Sequence, residues 1–298
     1  MLKGRLGLEK VQMPHADRHG LIYLDRGALT VQDGCLVFSS GGGVLEVGVF
    51  QLPHQSVSSI MLGPGTTVSH DALRIAARHG TALMAVGEDG TRIYTAPAIG
   101  PDRSALARAQ AKLWANEESR LETARRMYAM RMGRILPHRD IAVLRGIEGA
   151  RVKESYKLVA QSFGIAWHKR KYDRTKPEAA DVANQALNHA ALVVQSAASV
   201  AVTSLSALPQ LGFIHEDSSQ SFVLDIADLF REEVTLRIAF SVAKRIESGD
   251  DQPVDRLVRR TASAEFRRRG VIPMMMDRVK SLLETPEGQE GTKLESTP

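Results

Sequence analysis

The chain has 298 residues, 43% hydrophobic and 24% charged, which allows one large globular domain or two of ordinary size and excludes a low-complexity or disordered class. A single cysteine, Cys35, excludes an internal disulfide framework and suits a reducing cytoplasm; no apolar run approaches the roughly 18 residues of a spanning helix, and the first residues lack the apolar core of a signal peptide. The net charge of +5 falls entirely beyond residue 100, because residues 1–100 carry eight Lys/Arg against eight Asp/Glu.

The first hundred residues read as β-rich. Apolar runs at 28–31 and 35–38 flank Gln32-Asp33-Gly34, and Asp-Gly between such runs signals a tight hairpin. Residues 44–49 and 59–62 have strand character, and 82–86 and 91–94 form a second expected hairpin over Gly87-Glu88-Asp89-Gly90. One helix is expected over 71–79, with Ser69 as N-cap, Asp71 in the first turn and Gly80 as terminator. His54, His70 and His79 lack ligand spacing, and Cys35 reads as a small buried hydrophobe.

Pro97-Ala98-Ile99-Gly100-Pro101 breaks any element. The period then turns helical: an interrupted helix over 103–136 ended by Pro137, one over 141–163 ended by Gly164, a long small-residue helix over 181–208, an amphipathic one over 232–246, a basic one over 254–269 and a short one over 272–284. The fold class is therefore α+β in two domains: a small β-rich N-terminal domain with one helix (1–96), a linker (97–103), a larger all-α catalytic domain (104–284) and a disordered tail (285–298).

Within the helical half, residues 151–185 hold eight basic and four acidic residues, and residues 256–280 hold eight and two. Clusters of this kind suit a phosphate backbone. The first contains Trp167-His168-Lys169-Arg170-Lys171-Tyr172-Asp173-Arg174, a basic loop with aromatics to stack on splayed bases; its DNA-contact candidates are Lys169, Arg170, Lys171, Tyr172 and Arg174. The second offers Arg256, Arg259, Arg260, Arg267 and Arg268. Between the two lies His215, followed after a gap by Asp225 and Asp228 within Phe222-Val223-Leu224-Asp225-Ile226-Ala227-Asp228-Leu229-Phe230. Residues three apart share a helix face, so two carboxylates stand side by side at the edge of apolar packing, and a divalent cation is an effective compensation. Oxygen ligands suit Mg²⁺ or Mn²⁺, and an added histidine favours Mn²⁺. Glu148, bracketed by Gly146 and Gly149, reads either as a special turn or as first-turn dipole compensation.

Three separated blocks, Leu144-Arg145-Gly146-Ile147-Glu148-Gly149, Gly212-Phe213-Ile214-His215 and Ser221-Phe222-Val223-Leu224-Asp225-Ile226-Ala227-Asp228, together resemble the CRISPR-associated integrase family, type I-E subfamily, with similarity in order and spacing from Leu21 to Glu284 that includes Pro64-Gly65-Thr66 and Val68-Ser69-His70. The resemblance implies a homodimer that pairs with a small ferredoxin-like adaptation partner. It implies insertion of short foreign DNA duplexes with single-stranded 3′ ends into a CRISPR array by 3′-hydroxyl transesterification. It also implies a catalytic metal held by Glu148, His215 and Asp225, with Asp228 in a supporting place. Tyr172 matches a tyrosine near the active site of relatives, whereas a second such position falls on Gln195. The alternatives are a metal-dependent endonuclease acting on branched DNA in repair and a non-catalytic DNA-binding scaffold.

Overall fold

The computed structural model describes residues 20–53, 57–95, 104–171 and 180–284; the linker, Tyr172, Arg174, His54 and the tail lie outside them. The chain divides into two compact units, the first reaching residue 103 and including Ser204–Ser206, the second made of the remainder.

The first unit carries two four-stranded sheets. One has the order β1-β5-β7-β8, from β1 (Gly20–Leu24), β5 (Val57–Leu62), β7 (Ala82–Val86) and β8 (Ile93–Thr95); the other runs β4-β3-β2-β6, from β4 (Gly48–Gln51), β3 (Cys35–Ser40), β2 (Gly27–Gln32) and β6 (Thr66–Val68). The expected hairpin is β2–β3, closing at Gln32↔Cys35, with Asp33 and Gly34 both at positive φ (49° and 77°), which matches the twist of the flanking strands. α1 (His70–His79) starts where Ser69 accepts from the Ala72 N–H and ends at left-handed Gly80. Leu24, Leu29, Phe38, Ile60 and Ile75 share the core of the unit. The strand expected over 44–49 begins only at Gly48, and Val47 and Val49 are exposed; Gly42 and Gly43, at positive φ, turn the chain out of the ladder. β1 and β6, which pair in parallel with distant strands, were not among the expected elements.

The second unit is helical. Its elements are α2 (Ala105–Ala115), α3 (Glu117–Met132), α4 (Ile141–Ser162), α5 (Val182–Ser204), α6 (Ser221–Leu229), α7 (Arg237–Glu247), α8 (Val254–Arg269) and α9 (Val271–Leu283). The break expected in the first long stretch falls at Asn116, which is extended and caps α3 by accepting from the Ser119 N–H at 2.8 Å. α3 stops at left-handed Gly133 rather than at Pro137. α5 reaches the length and apolarity of a spanning helix after all, with mean hydropathy 1.3, because small apolar residues are interspersed with uncharged polar ones; 61% of that window is buried inside the fold. Glu148 is neither at a special turn nor in a first turn: α4 runs unbroken through it, and among the described residues nothing approaches the places where Gly146 or Gly149 would carry a Cβ. Arg231–Leu236 forms a π-helical turn between α6 and α7, where ordinary helix is expected from Glu232 onward. α3 packs on α4, α6 and α9, which brings Arg131, Glu148 and the α6 aspartates to one place.

Candidate active site

The site is built on the loop before α6. Asp225, with a side chain fully withdrawn from solvent, accepts four hydrogen bonds. Oδ2 receives the Phe213 and Ile214 N–H groups at 2.6 and 3.1 Å, while Oδ1 receives the His215 N–H at 3.0 Å and His215 Nδ1 at 2.7 Å. A buried carboxylate requires such donors, and three successive backbone N–H groups folded round one anion fix the course of the loop. Since a carboxylate only accepts, His215 Nδ1 carries a hydrogen, and in the neutral ring Nε2 keeps its lone pair. Nε2 faces the other aspartate, 3.9 Å from Asp228 Oδ2. The hydrogen bond to Asp225 pushes the His215 imidazole above its ordinary range, against the opposing effect of burial.

The loop is clamped from α2. Gln110 is fully buried and donates through Nε2 to the Leu208 and Leu211 carbonyls, both at 2.9 Å, while its Oε1 accepts from the Leu208 N–H at 2.8 Å. Trp114 Nε1 donates to the Gly212 carbonyl at 3.0 Å, and Arg145 donates to the Ile214 carbonyl at 3.2 Å. Gly212 has no room for a side chain: a Cβ there would run into the His215 carbonyl and Ser221. Replacing Gln110 with alanine removes three hydrogen bonds to half-buried backbone groups, of which the Leu208 carbonyl keeps the Leu211 N–H as a donor. The expected result is a loss of about 1–3 kcal/mol of stability, read as a lower midpoint in urea denaturation.

Asp228, one turn beyond Asp225, looks the other way. Its Oδ2 lies 3.0 Å from Arg131 Nη2, and its Oδ1 pairs with Arg231. The same Arg131 Nη2 pairs with Glu148 Oε1, so one guanidinium bridges the two carboxylates. All three are largely buried, with Arg131, Glu148 and Asp228 side chains 7%, 12% and 16% exposed. Burial pushes the Glu148 carboxyl above the usual range, while Arg131 and Arg231 pull it back.

The two aspartates, expected as metal ligand (Asp225) and support (Asp228), differ in their surroundings: both Asp225 oxygens accept hydrogen bonds from the loop and His215. It is Asp228 that faces the cleft with Glu148 and His215 Nε2. The donor set in that cleft, two carboxylates and an imidazole nitrogen, suits a hard divalent ion in kind. As they stand, no three His, Cys, Asp or Glu side chains among the described residues are grouped to hold an ion, and Arg131 and Arg231 lie against the same carboxylates.

A cavity of about 700 Å³ runs from His215, Asp228 and Arg231 to the basic loop and is lined by Lys153 and Lys157 of α4 and by Lys169 and Arg170 of the loop. Trp167 is not free to stack on a ligand over its whole surface. It lies against Tyr156 (centroids 5.2 Å apart, 22° between planes) and edge-on to Phe240. Arg170 donates to Asn188 at 2.6 Å, and buried Asn184 binds the backbone of Lys169 and Lys171. The α8 arginines stand elsewhere and line neither cleft of the site. Arg259 pairs with Asp255, and Arg268 with Glu265, while Arg256, Arg260 and Arg267 are exposed. The basic residues of the site itself, Arg131, Arg145 and Arg231, were not foreseen. The signal for Arg131 was a lone charge within Met127-Tyr128-Ala129-Met130-Arg131-Met132, and that for Arg231 was its place three residues after Asp228.

Residues 21–136 and 130–256 match the family model of the CRISPR associated protein Cas1. A CRISPR-associated endonuclease Cas1 of Geobacter sulfurreducens is 36% identical over 272 residues, 91% of this chain and 86% of that protein. The Escherichia coli K12 endonuclease of the same name is 37% identical over 243 residues, 81% of this chain and 78% of its own. A crystal structure of a TtCas1–DNA complex superposes with a TM-score of 0.80 at 30% identity, over 90% of this chain and 98% of that one. A casposase bound to integration product shares the fold alone, with a TM-score of 0.63 at 14% identity, over 92% of this chain and 97% of its own. The chain, whose helical unit carries an acidic cluster with its imidazole held by a buried carboxylate, thus belongs to the Cas1 family of CRISPR-associated proteins.

Proposed function

We propose that this chain is a metal-dependent DNA integrase of CRISPR adaptation, of the type I-E kind, acting in the cytoplasm. It would join the 3′-hydroxyl ends of short foreign duplexes to CRISPR array DNA, as a homodimer paired with a small ferredoxin-like partner. The observation that carries this reading is that Glu148, Asp228 and His215 line one cleft, and that His215 and Asp228 also stand at the end of a cavity lined by Lys153, Lys157, Lys169 and Arg170. The complex of TtCas1 with DNA and the 37% identity to the Escherichia coli relative support the substrate and the subfamily.

Glu148, Asp228 and His215 would hold Mg²⁺ or Mn²⁺, which supplies polarisation of the phosphodiester and acidifies the attacking hydroxyl. The chain's own residues do the rest. Asp225 holds the His215 ring in the orientation that presents Nε2 to the cleft, where Nε2 completes the ligand set or carries a proton for the leaving oxygen. Arg131 and Arg231 supply positive charge where charge develops on the phosphoryl oxygens. Lys153, Lys157, Lys169 and Arg170 bind the backbone of the strand whose 3′ end approaches. In the transfer, the 3′ oxygen forms a bond to phosphorus as the array strand's P–O3′ bond breaks; the attacking hydroxyl loses a proton and the leaving oxygen gains one.

The test is incorporation of short duplexes into a supercoiled array plasmid with the partner protein present. Duplexes ending in a 3′-hydroxyl are expected to be joined, and duplexes ending in 3′-deoxy nucleotides are not. Equal incorporation of both would sink strand transfer. Cleavage of branched DNA without joining would favour the hydrolytic repair endonuclease instead, which uses the same cleft. Full integration by an Asp228→Ala variant would favour the scaffold reading.

A further inference from the structure

The proposed cation site is occupied by an arginine. Arg131 Nη2 touches both Glu148 Oε1 and Asp228 Oδ2, the two carboxylates that a divalent ion would have to share. Its side chain is 7% exposed and lies over the Tyr128 ring with Cζ 5.9 Å from the centroid, so it is not a mobile surface charge brushing past. Arg231 pairs with the other oxygen of Asp228. Two carboxylates and two guanidinium groups leave the cluster neutral. A divalent ion entering beside both arginines would leave an excess of two positive charges in a largely buried place, where like charges repel strongly. A guanidinium and a metal ion also cannot occupy the same gap between two oxygens.

We infer that Arg131 is a displaceable counter-ion: it closes the site while no cation is bound, and it must leave the Glu148–Asp228 gap for the cation to enter. This rests on the proposed metal site and concerns how that site is loaded. One direction of departure has room. Arg131 forms part of the wall of an open cleft of about 630 Å³ that also contains His215, Asp228, Arg145 and Arg231, whereas the cavity on its other side is only about 40 Å³. In the open cleft the released guanidinium meets the place where a phosphodiester would lie beside the acidic cluster, and Arg–phosphate pairing compensates the charge that it has given up. The cation and DNA therefore assist each other: each relieves the excess charge that the other would leave.

A permanent structural ion pair makes the opposite prediction for metal affinity, since its loss would disorder the ligands. The test is titration of the full-length, metal-free protein with Mn²⁺, with the free ion followed by EPR, with and without a short DNA duplex carrying single-stranded 3′ ends. Arg131→Gln is expected to bind Mn²⁺ more tightly than wild type by at least about tenfold, the size usual for changes next to a metal ligand set. Its affinity is also expected to respond less to DNA than that of wild type. Arg131→Lys, which keeps the charge but loses the planar fork, is expected to fall between the two and carries the test if Arg131→Gln does not fold. Asp228→Ala is the control for the site. Equal or weaker binding by the Arg131 variants, with binding lost in Asp228→Ala, overturns the arginine's role and leaves the metal site standing. Absence of Mn²⁺ binding in wild type and Arg131 variants alike overturns the metal site and this inference together.

Discussion

Asp225→Ala is expected to cost about 3–5 kcal/mol of stability, the range for removing one partner of a buried charged cluster, and to abolish activity as a consequence. The carboxylate is fully withdrawn from solvent, and its loss orphans the Phe213, Ile214 and His215 N–H groups together with His215 Nδ1. Each orphaned buried donor costs about 1–3 kcal/mol before relaxation, and the loop relieves this only by unfolding from α6. Guanidinium denaturation of chelator-treated protein measures the effect. Asp225→Asn separates the charge from the packing. The raised pKa of His215 is due first to its hydrogen bond with Asp225. A histidine whose folded pKa is raised contributes stability that is full below its unfolded pKa, about 6.5, and that is lost as pH rises through the folded value. The stability gap between wild type and Asp225→Asn is therefore expected to be widest below about pH 6.5 and to narrow as the pH climbs. A gap that widened with pH would show that the ion pair is not what holds the imidazole.

How much of this was legible beforehand depended on the distance over which each feature is encoded. The β2–β3 hairpin, α8 and the caps at Ser69, Gly80 and Gly164 are written within a few residues, and reading them needs only turn and cap chemistry, whereas the first long helix was expected to break without its place at Asn116 being given. The parallel pairing of β1 with β5 is not local, and no pattern in Gly20–Leu24 indicates its distant partner. At the site, spacing placed Asp225 and Asp228 on one helix but could not rank them. Their ranking depends on how residues 213–215 fold back over the helix start, and that course is set by Gln110 and Trp114 on α2, about a hundred residues earlier in the chain. Arg131 was hidden for the same reason: it stands 97 residues before Asp228, and only the packing of α3 on α4 and α6 brings its guanidinium between two carboxylates. The basic clusters were visible as composition, yet composition does not distinguish Lys169, which lines the cavity of the site, from Arg259 and Arg268, which pair with acids on their own helix.

If Asp228 holds the proposed ion, Asp228→Asn is expected to lower strand transfer by about a thousandfold or more, since an ion beside the reacting phosphodiester is worth several kcal/mol of transition-state stabilisation. Its cost in stability is expected to stay within about 1–2 kcal/mol, since the amide oxygen still accepts from Arg131 or Arg231. The two aspartates are thus distinguished by two measurements rather than one. Initial rates of 3′-end joining at saturating Mg²⁺ report the cleft-facing role, and denaturation midpoints report the supporting role. Asp225→Asn is expected to show the reverse balance, with a larger fall in midpoint and a rate partly restored at low temperature, where the loop is held by its remaining hydrogen bonds. If Asp225 is the ligand instead, its asparagine variant will lose the chemistry while keeping its fold, and Asp228→Asn will keep most of its rate. The geometry argues against that assignment at the level of single oxygens: every Asp225 oxygen already receives two donors from the loop, while both Asp228 oxygens are held by guanidinium groups that a cation and a phosphate together can replace.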